Sequence, residues 1–203
     1  MFEVLKNLAE IRAGHPFRGS VPAVDGGDAM VVQMRDVAAD GTVGWTALTR
    51  TSIAGARPPD WLRDGDVLFA ARGGRNYAVC LSDVPPRTVC APHFFVLRLR
   101  AGAARVLPAY LAWHLNSGPS RRYLAGHAEG TDQLSIRRAV LEDTPIAVLS
   151  LERQRLLVAL ADAAMQERRC LEALVRSRDR ELDALAHRLL TPDTVAVAVA
   201  VAP

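Results

Sequence analysis

The sequence predicts an α+β fold, a mainly β domain with short helices followed by one long C-terminal coiled-coil helix. Three observations predict it. Short apolar runs of β character recur between Ala29 and Arg100, separated by turns containing Gly, Pro or Asp. From Leu151 to Leu190 there is no Gly or Pro, and the stretch is rich in Ala, Leu, Glu and Arg, all strong helix formers. Within that stretch apolar residues recur at alternating steps of four and three, the spacing of a coiled-coil seam. At 203 residues, 50% hydrophobic and 23% charged, the chain can bury a sizeable core.

In chain order, Phe2, Val4, Leu5, Leu8 and Ile11 have the spacing of a short strand followed by a helical turn, which Gly14, Pro16, Gly19 and Pro22 break. AMVVQMRDV from Ala29 reads as a strand ended at Ala39-Asp40-Gly41, and TVGWTAL as the next. Pro58-Pro59 and Gly65 frame a turn. VLFAAR follows as an apolar strand closed by Gly73-Gly74, and NYAVCLS and HFFVLRLR continue the series. The character changes at Leu107, where PAYLAWHLNS reads as a short helix opened by Pro108. Arg121 to Ala128 reads as a second short helix, ended by Gly130.

The long helix places Leu157, Ala161, Ala164, Leu171, Val175, Leu182, Leu185 and Leu189 on one seam, with Arg168 and Arg178 on the same line. At a rise of about 1.5 Å per residue it is a rod of about 60 Å, longer than a 150-residue domain needs for its own core. Such a helix is expected to pair, and seam arginines set register or meet acids on the partner. Thr191-Pro192 stops it, and residues 191–203 form a Val/Ala-rich tail expected to fray.

Of the 25 basic residues only Lys6 is lysine. A P-loop lysine, and a Schiff-base lysine anywhere beyond the first turns of the chain, are therefore excluded. Residues 1–86 are slightly acidic and residues 151–203 are balanced. Residues 87–138 carry Arg87, Arg98, Arg100, Arg105, Arg121, Arg122, Arg137 and Arg138 against only Glu129 and Asp132. A concentration of this kind is what phosphate contacts require. Cys80, Cys90 and Cys170 form no C-x-x-C pair, and no zinc-ligand spacing accompanies Cys90 and His93. The expectation is reduced thiols in the cytoplasm, no metal and no membrane span.

Enzyme motifs are missing: there is no G-x-S-x-G, H-E-x-x-H or G-x-G-x-x-G, and the five histidines are scattered. Asp64 and Asp66 flank Gly65 and are read as turn formers. Binding chemistry is better represented. Reading a base edge needs guanidinium or amide groups on rigid loops. Gln33 and Arg35 in VVQMRDV, Arg72, Arg75 and Asn76 in ARGGRNY, and Thr131, Gln133, Arg137 and Arg138 around GTDQ supply them from three separate loops.

At these residues the sequence resembles the DNA specificity subunits of Type I restriction-modification systems. GDVLFAARGGRNYA resembles their G-D-hydrophobic-L-x-x-x-R-G turn and strand. APHFFVLRLR and LPAYLAWHLNS follow in the same order. EGTDQLSIRRAVLEDTPIAVLSLERQRLLVAL resembles their G-T-x-x-x-x-I-x-x-x-x-L segment, leading into L-x-x-Q and a long spacer helix. The resemblance covers about residues 1–190. It implies a target-recognition domain over 1–150, a spacer helix over 151–190, and a half-subunit where full-length members carry two such sets. Two copies paired antiparallel would restore the whole and read an interrupted palindrome. It further implies a non-catalytic chain that binds double-stranded DNA and positions an adenine-N6 methyltransferase subunit and, in restriction complexes, an endonuclease. S-adenosylmethionine is then expected on the methyltransferase and no cofactor on this chain. The alternative is a truncated adaptor that docks the methyltransferase without reading DNA.

Overall fold

The structure is a computed structural model that describes residues 1–53, 59–73, 75–129 and 134–190. The elements run β1 (Phe2–Val4), α1 (Leu5–Leu8), β2 (Ala9–Ala13), β3 (Ala29–Val32), β4 (Thr49–Thr51), β5 (Val67–Ala70), β6 (Arg72–Gly73), β7 (Ala78–Cys80), β8 (Thr88–Cys90), β9 (Phe94–Leu99), α2 (Pro108–Leu115), α3 (Gly118–Gly126), β10 (Leu134–Ser135), α4 (Arg138–Glu142), β11 (Pro145–Ala147) and α5 (Leu151–Leu190). The chain divides into two compact units, Met1–Ala159 and Leu160–Pro203, so the first turns of α5 belong to the first unit.

Continuous apolar runs in β5 and β9 signal a sheet covered on both sides, and this is what they build. The central sheet has the order β2-β9-β5-β7, all antiparallel. Successive side chains alternate faces. Val67, Phe69, Leu97 and Ile11 join one core cluster with Leu8, Tyr110, Leu111, Leu115, Leu141 and Ile146 from the helical side. Leu68, Ala70, Phe94 and Val96 join a second with Val32, Leu48, Leu62, Val79 and Leu81. At about 25 cal/mol per Å² of apolar surface, each such buried side chain contributes about 1.5–3 kcal/mol before entropy is counted.

Beyond the second cluster lies a smaller sheet of order β4-β3-β8, in which β3 runs antiparallel to β4 and parallel to β8. Two strand pairs complete the described sheets. β1 pairs antiparallel with β11, and β6 pairs antiparallel with β10. Pro108 opens α2 at the position where its missing N–H costs nothing. Among the described residues no helix is long and apolar enough to cross a membrane.

Two strand boundaries differ from the sequence reading. AMVVQMRDV is extended only through Val32, because Gln33 caps a tight turn over Met34–Asp36. TVGWTAL is a short 3-10 turn at Trp45–Ala47 leading into β4. At the first place a side-chain hydrogen bond competes with the ladder, and at the second a 3-10 turn replaces the β-prone run.

The 64–66 turn is built as expected, with Gly65 at φ +83°, but Asp66 does more than turn the chain. It is buried, and it accepts from Arg98 Nε at 2.7 Å and Nη2 at 2.6 Å and from the Arg63 N–H at 2.9 Å. Arg98 also reaches Asp60 at 3.0 Å and the Trp61 carbonyl at 3.0 Å. Its hydrogen bonds to Asp66 push the guanidinium pKa further above its ordinary value.

On the helical side, buried His114 ties α2 to β11. Its Nε2 accepts from the Ala147 N–H at 3.1 Å, so the ring proton sits on Nδ1, 3.0 Å from Ser120 Oγ. Tyr110 donates its hydroxyl to the Ala147 carbonyl at 2.7 Å.

Candidate nucleic-acid interface

Where β3 ends, Gln33 takes the N-cap of the turn. Its backbone N–H donates to Asp36 Oδ2 at 2.8 Å, and its backbone carbonyl accepts from the Asp36 N–H at 3.0 Å, which closes the turn. Its side-chain Nε2 donates to Thr49 Oγ1 on β4 at 2.9 Å. Gln33 is thus held by its backbone and by its Nε2 within the fold. Arg35 stands outward with 69% of its side chain exposed. Its Nη2 donates to the same Thr49 Oγ1 at 2.9 Å, and its Nε lies 3.8 Å from Asp36 Oδ1.

The second loop meets the first at Gly73. A Cβ there would lie 2.7 Å from Met34 Cε, and φ is +125°, so glycine lets β6 pass against the 34–36 turn. Arg75 Nη2 donates to the Ala39 carbonyl at 3.3 Å, while its guanidinium lies 5.8 Å from the Tyr77 ring centroid. Arg72 is exposed on β6. Asn76 is turned inward and donates to the Ala70 carbonyl at 2.9 Å.

The third stretch joins through the β6–β10 pair, with Ser135 opposite Arg72 and Leu134 opposite Gly73. Thr131 and Gln133 lie outside the described residues. Arg137 pairs with Glu129 at 2.7 Å and Arg138 with Glu142 at 2.7 Å. Residues 34, 72–73 and 134–135, far apart in sequence, are thereby brought together.

The concentration of positive charge in residues 87–138 is smaller in the fold than in the sequence. Arg87 pairs with Asp28 and lies over Trp61, Arg98 with Asp60 and Asp66, and Arg105 with Glu3, all carboxylates from the acidic first half. Each such pair cancels charge that a phosphate would otherwise feel. Arg75 is different: a carbonyl and an aromatic ring hold it, so it is placed without losing its charge. Arg35 is held chiefly by a hydroxyl.

On α5, Leu157 packs half-buried against the first unit's core. Ala161 is half-exposed, and Ala164 is exposed. Leu171, Val175, Leu182, Leu185 and Leu189 are between 53% and 84% exposed. Arg178 pairs along its own helix with Glu181 at 2.7 Å.

Three residues of consequence escaped the sequence reading. Thr49 carries no local signal, because its partners lie 14 and 16 residues away. Asp36 was legible as an acid three residues after a capping position. Gln154, the glutamine of the L-x-x-Q motif, is fully buried in the first turn of α5.

Neither a family profile nor a curated protein sequence matches this chain. Solved structures do. The S subunit of a Type I restriction-modification system from M. genitalium matches with a TM-score of 0.57 at 14% identity, over 96% of this chain and 46% of that one. The HsdS subunit from Thermoanaerobacter tengcongensis matches with a TM-score of 0.61 at 20% identity, over 98% of this chain and 51% of that one. The chain has the fold of a Type I S subunit. A further chain, from a structure of the Type I R-M system addressing its complex assembly and conformational transition, gives 0.61 at 20% identity, over 91% and 43%. The chain spans about half the length of these matched chains.

Proposed function

We propose that this chain is a sequence-specific DNA-binding specificity subunit of a restriction-modification system. The observation that carries this is an S-subunit fold in which Arg35 and Arg75 are anchored, and Arg75 left charged, where the 33–39 and 72–77 turns meet. Residues 1–150 serve as the target-recognition domain, 151–190 as spacer and dimerisation helix, and 191–203 as a tail. Arg72, Thr131, Gln133, Arg137 and Arg138 complete the DNA-facing set. Two copies pair antiparallel through Leu157, Ala161, Ala164, Leu171, Val175, Arg178, Leu182, Leu185 and Leu189. The dimer reads two inverted half-sites and positions an adenine-N6 methyltransferase, with S-adenosylmethionine on that partner, and in restriction complexes an endonuclease. Its setting is cytoplasmic phage defence. The chain itself catalyses nothing.

A second reading, an adaptor that docks the methyltransferase without reading DNA, is favoured by one observation: five of the eight arginines in residues 87–138 are paired to carboxylates. Duplex binding measured by anisotropy across salt separates the two. A DNA reader loses affinity steeply, log K falling with log salt by about 0.9 per phosphate contacted. An adaptor shows weak, flat binding. The dimer is tested by Leu171→Glu with Leu182→Glu: light scattering should report a monomer, and a variant that stays dimeric refutes the seam as the interface.

A further inference from the structure

The proposed DNA reading leaves open which groups touch bases and which only hold them. The 33–49 constellation separates these roles. A guanidinium offers two parallel N–H groups along its Nη1–Nη2 edge, the spacing of the O6 and N7 acceptors of guanine in the major groove. That match discriminates only when the fork is held at a fixed angle. A freely rotating arginine finds a phosphate as readily as a base.

Arg35 is held on the opposite edge. Asp36 Oδ1 stands 3.8 Å from Nε, and Thr49 Oγ1 accepts one Nη2 proton at 2.9 Å. Among the described residues nothing bonds Nη1, and the second Nη2 proton has no partner, so the end-on fork is open to the outside. Thr49 is itself fixed, because Gln33 Nε2 donates to the same oxygen at 2.9 Å while backbone bonds with Asp36 lock Gln33 onto the turn that carries Arg35. The Asp36 carboxylate is nearly buried and is held by the Gln33 N–H. The other arginines with fixed guanidinium groups in this region spend them differently: Arg98 and Arg87 on carboxylates, Arg75 on a carbonyl and a ring.

We propose that Arg35 reads a guanine through its Nη1–Nη2 edge, and that Thr49 and Gln33 are positioning residues that aim it. This rests on the proposed function as a DNA reader. Gln33 then serves the site through its Nε2, which is used within the fold on Thr49.

The test selects bound sequences from a random-centre duplex pool with the full chain, then measures affinity for the selected site and its single-base variants. Wild type should require a guanine at one position of each half-site. Arg35→Ala and Arg35→Lys should lose discrimination at that position alone, by about 5- to 150-fold, the range of one two-point contact. Thr49→Val should reduce the same discrimination while preferences elsewhere in the site persist, and Thr49→Ser, which restores the acceptor, should recover it. A second arm leaves the protein untouched. Replacing each selected guanine in turn by 7-deazaguanine, which lacks N7, should weaken wild-type binding at that one position and leave Arg35→Ala unaffected.

If Arg35→Ala instead weakens every sequence equally and lowers the salt slope by about one, Arg35 touches a phosphate and the inference is overturned. If Thr49→Val keeps full discrimination, Thr49 does not aim Arg35 and that part is overturned. A wild-type chain that enriches no sequence overturns the DNA-reader function itself. That outcome is distinct from a selected site in which Arg35 reads no guanine.

Discussion

Replacing Gln154 by leucine removes one side chain and three hydrogen bonds in a fully buried position. Oε1 accepts from the Leu107 N–H at 2.8 Å. Nε2 donates to the Arg105 carbonyl at 2.6 Å and to the Leu149 carbonyl at 2.9 Å. The amide thereby pairs backbone groups of the 105–107 segment before α2 and of the 149 turn before α5. At about 1 kcal/mol net per bond the loss is about 3 kcal/mol, and backbone groups left dry and unpaired raise it further. Leucine is of similar size, so cavity formation adds little. Set against a total stability of about 5–15 kcal/mol, this is a large fraction. Thermal unfolding followed by circular dichroism should show the midpoint falling by about 6–12 °C, at about 2–4 °C per kcal/mol for a chain of this size. Gln154→Glu should be at least as damaging, because a carboxylate cannot donate and would face two carbonyl oxygens. A leucine variant that melts within about 2 °C of wild type would refute the reasoning.

Three further outcomes are expected. His114 is buried, which lowers its pKa below the usual value near 6.5, and its Nε2 already accepts a backbone N–H. Its contribution to stability is therefore complete above pH 6.5. It is lost as pH falls from there toward the lowered folded-state value, because the unfolded chain takes up the proton first. Urea midpoints at pH 7.5 and 5.5 should differ more for wild type than for His114→Gln, which keeps an acceptor but does not titrate; equal differences would count against it. Asp66→Ala strands the Arg98 charge in a largely buried site, with only Asp60 left to pair it, and should cost about 3 kcal/mol in urea unfolding. A loss under 1 kcal/mol would show that Asp60 suffices. Burial pushes the Cys90 thiol up to about 12 and the Cys80 thiol up to about 11, whereas Cys170 is exposed on α5. A thiol reagent at pH 8 should label one cysteine rapidly in the native protein and three in denaturant; rapid native labelling of Cys90 would contradict its burial.

Much of the fold was legible because local rules and the global fold agree. The unbroken α5 followed from composition and period, α2 from Pro108 and its apolar residues, and the two-faced burial of β5 and β9 from their uninterrupted apolar runs. One strand is shorter than its composition suggests because the Asp36 carboxylate takes the Gln33 N–H after Val32, and the other gives way to a 3-10 turn at Trp45–Ala47. At the candidate interface the residue types were legible, since arginines and amides on turns stand out. Their states were not. Arg35 and Arg98 look alike in sequence, yet one is open to solvent and the other is wrapped by Asp60 and Asp66 from more than 30 residues away.

The sequence alone determined the mixed class, the long heptad helix and the loops that carry guanidinium and amide groups, because periodicity, helix propensity and turn chemistry act over a few residues. Only the tertiary structure decided which charges remain available. Whether an arginine faces a phosphate or a carboxylate depends on chain segments that meet only after folding. The basic stretch at 87–138 was therefore an overstatement of the surface, and the fork of Arg35 became a candidate only when Thr49 was found beneath it.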